Sequence, residues 1–249
     1  MPQTPPKVRL YVAADLGAGA EVSPTRDQAH YLFTVMRLGE GADVALFNGR
    51  DGEWRGVVTQ AGRRGGALRC AGRLRAQDAS PDLDLLFAPL KKARTDFIAE
   101  KATEMGARRL RPVVTRFTNA ERVNVDRLRA HGVEAAEQCG ILSVPEVCDP
   151  QPLGAALDGW DGARRLMFCD ESRDGPPAAA ALAALKVGAA PGPWAILIGP
   201  EGGFAPEEIA RLRAAPFAHP VSLGPRILRA DTAAVAALAL WQAALGDWR

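Results

Sequence analysis

The chain has 249 residues, and its 47% hydrophobic and 24% charged residues support a packed core and exclude a disordered chain. No stretch approaches the roughly 20 apolar residues that span a bilayer, and the N-terminal residues lack the apolar core of a signal peptide. We therefore predict a cytoplasmic protein without a membrane segment. The four cysteines and three histidines are scattered without disulfide or metal-ligand spacing, so we predict reduced thiols and no metal.

The positive charge is concentrated in two segments, although the net charge of the whole chain is only +2. Residues 1–77 contain 11 Lys or Arg against 7 Asp or Glu, and residues 91–129 contain 11 against 5. Basic segments on a nearly neutral protein are typical of chains that bind a polyanion with particular faces. The alternative interpretation is a set of solvated surface arginines in an arginine-rich chain.

Residues 8–75 show a pattern of short strands with one helix, "TRDQAHYLFTVMRL". The stretch "ADVALFNGRDGEWRGVVTQAG" alternates around Asn-Gly and Asp-Gly pairs, which indicates a β-hairpin. These features predict a small β-barrel. The linker "AQDASPD" is rich in small and polar residues, so we place a domain boundary there, between residues 1–76 and residues 77–249.

From Leu83 onward, strands alternate with helices. The predicted strands are "LDLLFAPL", "LRPVVT", "RRLMFCDE", "WAILIGP" and "HPVSLG"; the predicted helices include "DFIAEKATEMGA", "VDRLRAHGVEAAEQCG", "PAAAALAALK", "PEEIARLRA" and "DTAAVAALALWQAAL". This alternation predicts an α/β domain with a parallel sheet covered on both faces.

Two glycine-bearing loops follow late strands, "GPEGGFAPEE" after Ile198 and "LGPRILRADTAA" after Ser222. Neither is a Gly-x-Gly-x-x-Gly fingerprint or a P-loop, so ordinary dinucleotide and triphosphate sites are excluded. Each loop could be a tight turn before a helix, with Asp231 or Thr232 as the N-cap of the last helix. Because ligands bind at the carboxyl ends of strands, two such loops on neighbouring strands indicate a cleft suited to a flat heterocycle.

The paired motifs "LIGPEGGFAPEEI" and "SLGPRILRADTAAVAAL" resemble the signature of the bacterial small-subunit ribosomal RNA uridine-N3 methyltransferases, which belong to the SPOUT superfamily. The resemblance covers nearly the whole chain and extends to "HYLFTVMRLGEGADVALFNG", similar to the family's PUA-like domain. It implies a PUA-like domain followed by a SPOUT domain with a C-terminal trefoil knot, an exception to unknotted topology. It also implies S-adenosylmethionine (SAM) as cofactor and a homodimer.

By this resemblance, the cofactor-binding residues are Leu197, Gly199, Pro200, Glu201, Gly202, Gly203, Leu223, Gly224, Ile227, Leu228 and Thr232. N3 of uridine is a weakly acidic imide nitrogen that must lose its proton as it attacks the methyl group. Arg229 and Arg226 could stabilise the negative charge that develops on the uracil oxygens. Glu201 could be a general base, or it could hold its loop by accepting hydrogen bonds from backbone N–H groups.

The RNA backbone would be held by basic residues of both domains: Arg9, His30, Arg37, Lys91, Lys92 and Arg94. For His30, a partly buried position in a helix is an alternative that we slightly favour. The implied substrate is one uridine of 16S rRNA within the assembled small ribosomal subunit. A knotted enzyme that acts on a ribose 2′-hydroxyl or a tRNA base, and a catalytically silent RNA-binding protein, are the alternatives.

Two positions depart from the family pattern. Asp231 stands where the family usually has glutamate, and Ile141 stands where it typically has arginine after "QCG". The shorter carboxylate can still cap a helix. The change at Ile141 leaves catalysis intact but implies a different way of contacting RNA or a partner subunit.

Overall fold

The structure, a computed structural model, describes residues 6–78, 80–119, 122–170, 175–185 and 192–248. Ala79 of the predicted linker, Glu171 at the end of a predicted strand and Lys186 at the end of a predicted helix lie outside these residues. The chain forms two compact units. One contains the residues up to Ala79 together with Ala136–Val144, and the other contains Ser80–Ala135 and Pro145–Arg249. The predicted boundary between two domains, after residue 76, stays a prediction.

The first unit is built on a five-stranded sheet in the order β1-β3-β4-β5-β2. Its elements are β1 (Arg9–Tyr11), β2 (Glu21–Val22), α1 (Arg26–Ala29), a π-helical turn (His30–Val35), β3 (Asp43–Phe47), β4 (Glu53–Gly62) and β5 (Gly65–Arg75). β1 runs parallel to β3, and the other pairs are antiparallel. The small β domain expected from the sequence is therefore confirmed.

The predicted hairpin joins β3 to β4, where Asn48 and two glycines make the turn. The side-chain oxygen of Asn48 accepts hydrogen bonds from the backbone N–H groups of Arg50 (3.1 Å) and Asp51 (2.9 Å). Gly49 and Gly52 have φ angles of +82° and +83°, a region that glycine enters at little steric cost. The Asn-Gly and Asp-Gly pairs thus form the connection that the sequence predicted.

The second unit is an α/β domain whose strands all pair in parallel, in the order β12-β10-β11-β6-β7-β8, with β9 also beside β7. Its strands are β6 (Leu83–Phe87), β7 (Arg109–Val114), β8 (Glu146–Val147), β9 (Gln151–Pro152), β10 (Arg165–Cys169), β11 (Trp194–Ile198) and β12 (Ala218–Val221). Its helices are α2 (Lys92–Glu104), α3 (Val125–Cys139), whose last residues from Ala136 belong to the first unit, α4 (Leu153–Asp158), α5 (Ala178–Ala184), α6 (Pro206–Ala214) and α7 (Ala230–Ala244).

Both faces of the parallel sheet are buried, as the continuous apolar strands predict. Leu85 and Phe87 of β6 belong to a core shared with α2, α5 and α7. Leu86, which points to the other face, belongs to a core shared with α4 and α6. The short elements β8, β9 and α4 were not predicted, because strands of two residues and a helix of six are too short to show a periodic pattern. Among the described residues, no helix combines the length and the apolarity that crossing a membrane requires.

A fully buried carboxylate lies near the amino end of the central strand β6. The Asp84 side chain is 0% exposed and accepts hydrogen bonds from Arg109 (2.8 and 3.0 Å) and Arg111 (3.3 Å) of β7. Arg164, just before β10, places a guanidinium nitrogen 3.5 Å from the same carboxylate. A buried charge is tolerated only when its partners replace water, so these arginines hold β6 in its place.

Replacing this carboxylate should strongly destabilise the second unit. Asp84→Asn leaves three arginines without their buried partner, and we expect the free energy of unfolding to fall by about 3 kcal/mol. Urea denaturation followed by tryptophan fluorescence measures the loss, because Trp194 and Trp241 are buried in this unit. The control is Asp126→Asn, which removes a 92% exposed carboxylate paired with Arg129 and should cost less than about 1 kcal/mol. Similar losses in both variants would contradict this role of Asp84.

Candidate active site

The two glycine-bearing loops line one cleft at the carboxyl edge of the parallel sheet. One loop follows β11 and the other follows β12, and the end of β10 lies between them. The prediction that the loops leave neighbouring strands was therefore wrong, because β10 separates β11 from β12 in the sheet. The cleft encloses about 700 Å³, counting the adjoining open solvent.

Most of the residues predicted to bind a cofactor line this cleft. They are Gly199, Pro200, Glu201, Gly203, Leu223, Gly224, Ile227 and Leu228. Three others lie elsewhere: Leu197 is buried in the core of the sheet, Gly202 adjoins Phe117, and Thr232 is exposed on the first turn of α7. The binding roles of all these residues stay predictions.

Two glycines of the cleft have conformational or steric reasons to be glycine. Gly224 has a φ angle of +115°, which an L-residue with a side chain rarely adopts. At Gly199, an added Cβ would lie 2.7 Å from the ring of Phe204. Glycine at position 199 therefore leaves room for the Phe204 ring, and glycine at position 224 permits the backbone conformation of the second loop.

Glu201 is held by an arginine from the start of α2. Nη1 of Arg94 donates to Oε1 of Glu201, and Nε of Arg94 lies 3.7 Å from Oδ2 of Asp231. The guanidinium thus ties α2 to the loop after β11 and to the first turn of α7. Of the two roles open to Glu201, this ion pair favours holding the loop. It also gives Arg94 an internal partner, where the sequence predicted RNA.

The two candidate catalytic arginines differ in position. Arg226 lines the cleft and is exposed. Arg229 is also exposed but lies outside the lining, at the N-cap of α7, where it makes no side-chain capping hydrogen bond. The expectation that Asp231 or Thr232 caps α7 was wrong, because both lie inside its first turn, where Asp231 accepts from the N–H of Thr232 at 2.8 Å.

Sequence analysis missed six residues of the cleft: Cys169, Asp170, Ile198, Phe204, Ala230 and Ala233. Oδ2 of Asp170 accepts from Nη2 (2.6 Å) and Nε (3.2 Å) of Arg213, which holds this buried carboxylate in an ion pair. The rule that ligands bind at the carboxyl ends of strands could have found Cys169 and Asp170, since Cys169 ends β10 and Asp170 follows it. Across the described ranges, no group of three or more His, Cys, Asp or Glu side chains is placed to hold a metal ion.

Two models of known protein families match different parts of this chain. The model of an RNA methyltransferase domain matches residues 78–242, and the model of an RNA methyltransferase PUA domain matches residues 24–68. Ribosomal RNA small subunit methyltransferase E of Synechocystis is 32% identical over 234 residues, which cover 93% of this chain and 76% of the relative. The protein of that name from Rickettsia conorii is 28% identical, and the match covers 93% of each chain.

The chain belongs to the RNA methyltransferase family. A protein of Legionella pneumophila, solved in complex with the cofactor SAM, superposes on it with a TM-score of 0.81. That protein is 27% identical, and the match covers 96% of this chain and 98% of the other. The family resemblance is confirmed, and so is the predicted fold of a small N-terminal β domain followed by an α/β domain with a parallel sheet, whereas the trefoil knot stays a prediction.

In this RNA methyltransferase, the lysines at the carboxyl end of β6 line a second cavity. Lys91 and Lys92 share it with Arg122, Asn119 and Arg127, among others. Arg127 is already engaged, because it donates two hydrogen bonds to Asp96 (2.8 and 2.6 Å) and thereby lowers the pKa of that carboxyl. For Lys91 and Lys92 we find no ion pair with any described residue, so both remain candidates for contact with RNA.

The RNA candidates of the first unit divide into one internal and two external side chains. The Arg9 guanidinium donates to Glu53 (2.7 Å) and to three backbone carbonyls of residues 136–141 (2.5 to 3.0 Å), so four of its N–H groups serve internal structure. His30 is exposed, contrary to the partly buried position that we favoured. Arg37 is also exposed and has a φ angle of +55°, which is uncommon for a residue other than glycine.

Ile141, the position where the family typically has arginine, serves the packing of the first unit. Its side chain packs against the cluster of Phe47, Ala136 and Leu142, and its carbonyl accepts a hydrogen bond of 3.0 Å from Arg9. The isoleucine therefore extends an apolar contact here.

The cysteine that lines the cleft should be chemically inert. Burial raises the pKa of the Cys169 thiol to about 12, so about one thiol in 10⁴ is ionised at pH 8, and the thiolate is the reactive form. Cys139 is exposed, so we expect iodoacetamide to modify Cys139 long before Cys169. Peptide mass spectrometry over a time course at pH 8 measures both rates. Comparable rates at the two cysteines would show that the cleft does not suppress ionisation of Cys169.

Proposed function

We propose that this protein transfers a methyl group from SAM to N3 of one uridine in 16S rRNA of the small ribosomal subunit. The observation that carries the proposal is the cleft between two glycine-bearing loops, within a domain of the RNA methyltransferase family. The names of the relatives from Synechocystis and Rickettsia conorii support ribosomal RNA of the small subunit as the substrate. The choice of uridine N3 rests on the motifs around Glu201 and Arg229.

The residues of the cleft fit SAM. Leu223, Leu228 and Ile198 offer apolar surface for the adenine ring, and the glycines leave backbone donors and acceptors accessible for the ribose and methionine groups. The SAM complex of the Legionella relative supports this assignment. When bound, SAM supplies an electrophilic methyl group on a sulfonium.

N3 would give its proton to solvent water as it attacks the methyl group, and two arginines at the cleft would assist this loss. Arg226 lines the cleft, and Arg229 lies three residues further on, so their guanidinium groups can stabilise negative charge on the uracil oxygens O2 and O4. Glu201 acts as a positioning residue, since its carboxylate is paired with Arg94. The loops would also align the methyl group of SAM with N3 of the uridine, and this alignment would supply the remaining rate acceleration.

RNA would be held through its phosphates and presented with the target base unpaired. Lys91 and Lys92 of the second unit, and His30 and Arg37 of the first, are the exposed candidates for this contact. The resemblance further predicts a homodimer and a trefoil knot in the last third of the chain. An enzyme that acts on ribosomal RNA would work in the cytoplasm, which is the localisation that the sequence predicts.

Methyl transfer from labelled SAM tests the proposal directly. We expect incorporation into small ribosomal subunits that lack the modification, and a reverse-transcription stop at a single uridine, because an N3 methyl blocks the pairing edge. Naked 16S rRNA and tRNA are the comparison substrates. Arg229→Ala is the catalytic control, with methyl transfer reduced by about 10²–10³-fold at unchanged SAM affinity. A stop at another base, or incorporation into tRNA alone, would overturn the proposal.

The role of Glu201 can be separated from that of a general base. If Glu201 holds its loop, then Glu201→Gln and Arg94→Gln should each weaken SAM binding by about 2–5-fold, the size of a partly exposed ion pair. The double variant should bind SAM no more weakly than Arg94→Gln alone, because Arg94→Gln already removes the ion pair with Glu201 together with the contact to Asp231. Calorimetry gives the affinities, and methyl transfer at saturating SAM gives kcat. A fall in kcat of about 10²–10⁴-fold in Glu201→Gln alone would instead identify a base.

A further inference from the structure

An exposed aromatic side chain lies beside the cleft, on the turn that follows β7. Phe117 is 42% exposed. β7, β6 and β11 are parallel neighbours, so this turn leaves the sheet at the same edge as the loop after β11. The two meet at Gly202, where an added Cβ would lie 3.3 Å from Cβ of Phe117. The ring is therefore adjacent to a loop that lines the cleft, without itself lining it.

The turn that carries Phe117 is held firmly. The backbone N–H of Thr115 donates to Oγ1 of Thr118 at 2.9 Å, and the N–H of Thr118 donates to the carbonyl of Thr115 at 3.2 Å. Glu208 joins this turn to the start of α6, because its two oxygens accept from the N–H groups of Arg116 and Ala205, each at 2.9 Å. The backbone that carries the ring is thus held in place before any ligand binds, which lowers the entropic cost of a contact with the ring.

Within the described part of the chain, no aromatic ring is paired with Phe117 and no cation lies over its ring. Phe168 and Phe204, by contrast, pack edge to face, and Phe97 lies 5.5 Å from the ammonium of Lys101. A rigid, exposed and unpaired aromatic ring beside a ligand cleft is suited to stacking on a nucleobase, which every base permits because each has a π-face.

Building on the proposed function, we propose that Phe117 stacks on an unpaired base of the RNA substrate and thereby positions the target nucleotide at the cleft. Stacking supplies affinity without sequence choice, so the selection of uridine stays with the cleft. Phe117 is a positioning residue in this scheme. Its contribution should appear in the KM for RNA and not in the affinity for SAM.

Three substitutions separate stacking from simple apolar packing. Phe117→Ala and Phe117→Leu should each raise the KM for small subunits by about 5–100-fold at saturating SAM, the effect of losing one base stack. Phe117→Trp should stay within about threefold of the wild type, because it keeps an aromatic face. The dissociation constant for SAM should be unchanged in all three variants. Restoration by leucine, or weaker SAM binding in each variant, would show that the ring only supports the loop after β11.

The matched control is Phe97→Ala, which removes a ring with 38% exposure that lines neither cavity. It should leave the KM for subunits unchanged. Filter binding of a labelled single-stranded oligouridylate gives a second reading that needs no methyl transfer, and there the alanine and leucine variants should again bind more weakly. If the wild type methylates no subunits, the proposed function fails, but the binding of the oligouridylate still tests whether Phe117 stacks on a base. An oligouridylate affinity equal to that of the wild type in Phe117→Ala would overturn the inference.

Discussion

The ion cluster around Asp84 fixes the strand arrangement on which the candidate site depends. A carboxylate with no solvent exposure loses several kcal/mol of hydration, and it recovers this only where arginines surround it. Arg109 and Arg111 come from β7, and Arg164 comes from the residue before β10, so Asp84 is satisfied only when these segments converge on β6. The cluster lies near the amino ends of the strands, and the parallel direction then brings their carboxyl ends together at the opposite edge.

That shared edge explains how segments far apart in the chain form one site. The end of β10, the loops after β11 and β12, and the turn after β7 all emerge there. Two carboxylates then fasten these segments to one another: Glu201 binds Arg94 of α2, and Glu208 accepts N–H groups from both Arg116 and Ala205. Glu201 and Glu208, the acidic residues of the glycine-bearing segment, therefore bind this segment to its neighbours. These contacts hold the glycine-rich backbone in a defined conformation around the cleft.

Local sequence patterns predicted the structural features that depend on residues close together in the chain. The hairpin at Asn48, the alternation of strands and helices, and the two glycine loops could all be predicted, because turn chemistry and periodicity are local. Partner choice over long distances could not be predicted: β10 lies between β11 and β12, and Arg94 meets Glu201, which is 107 residues away. The apolar pattern of "LDLLF" likewise indicated a buried strand without revealing that Asp84 organises it.

The same limit applies to charge. Runs of basic residues suggested RNA contact, yet many of the arginines in this chain are bound to internal carboxylates or carbonyls, as Arg9, Arg127 and Arg213 are. The guanidinium suits such bidentate internal contacts, whereas the ammonium of lysine is strongly hydrated and stays at the surface. Lys91 and Lys92 follow this rule. In a basic segment rich in arginine, most of the positive charges can therefore be paired internally, and few remain to bind a polyanion. In such a protein, an exposed aromatic ring contributes a larger share of the affinity for RNA.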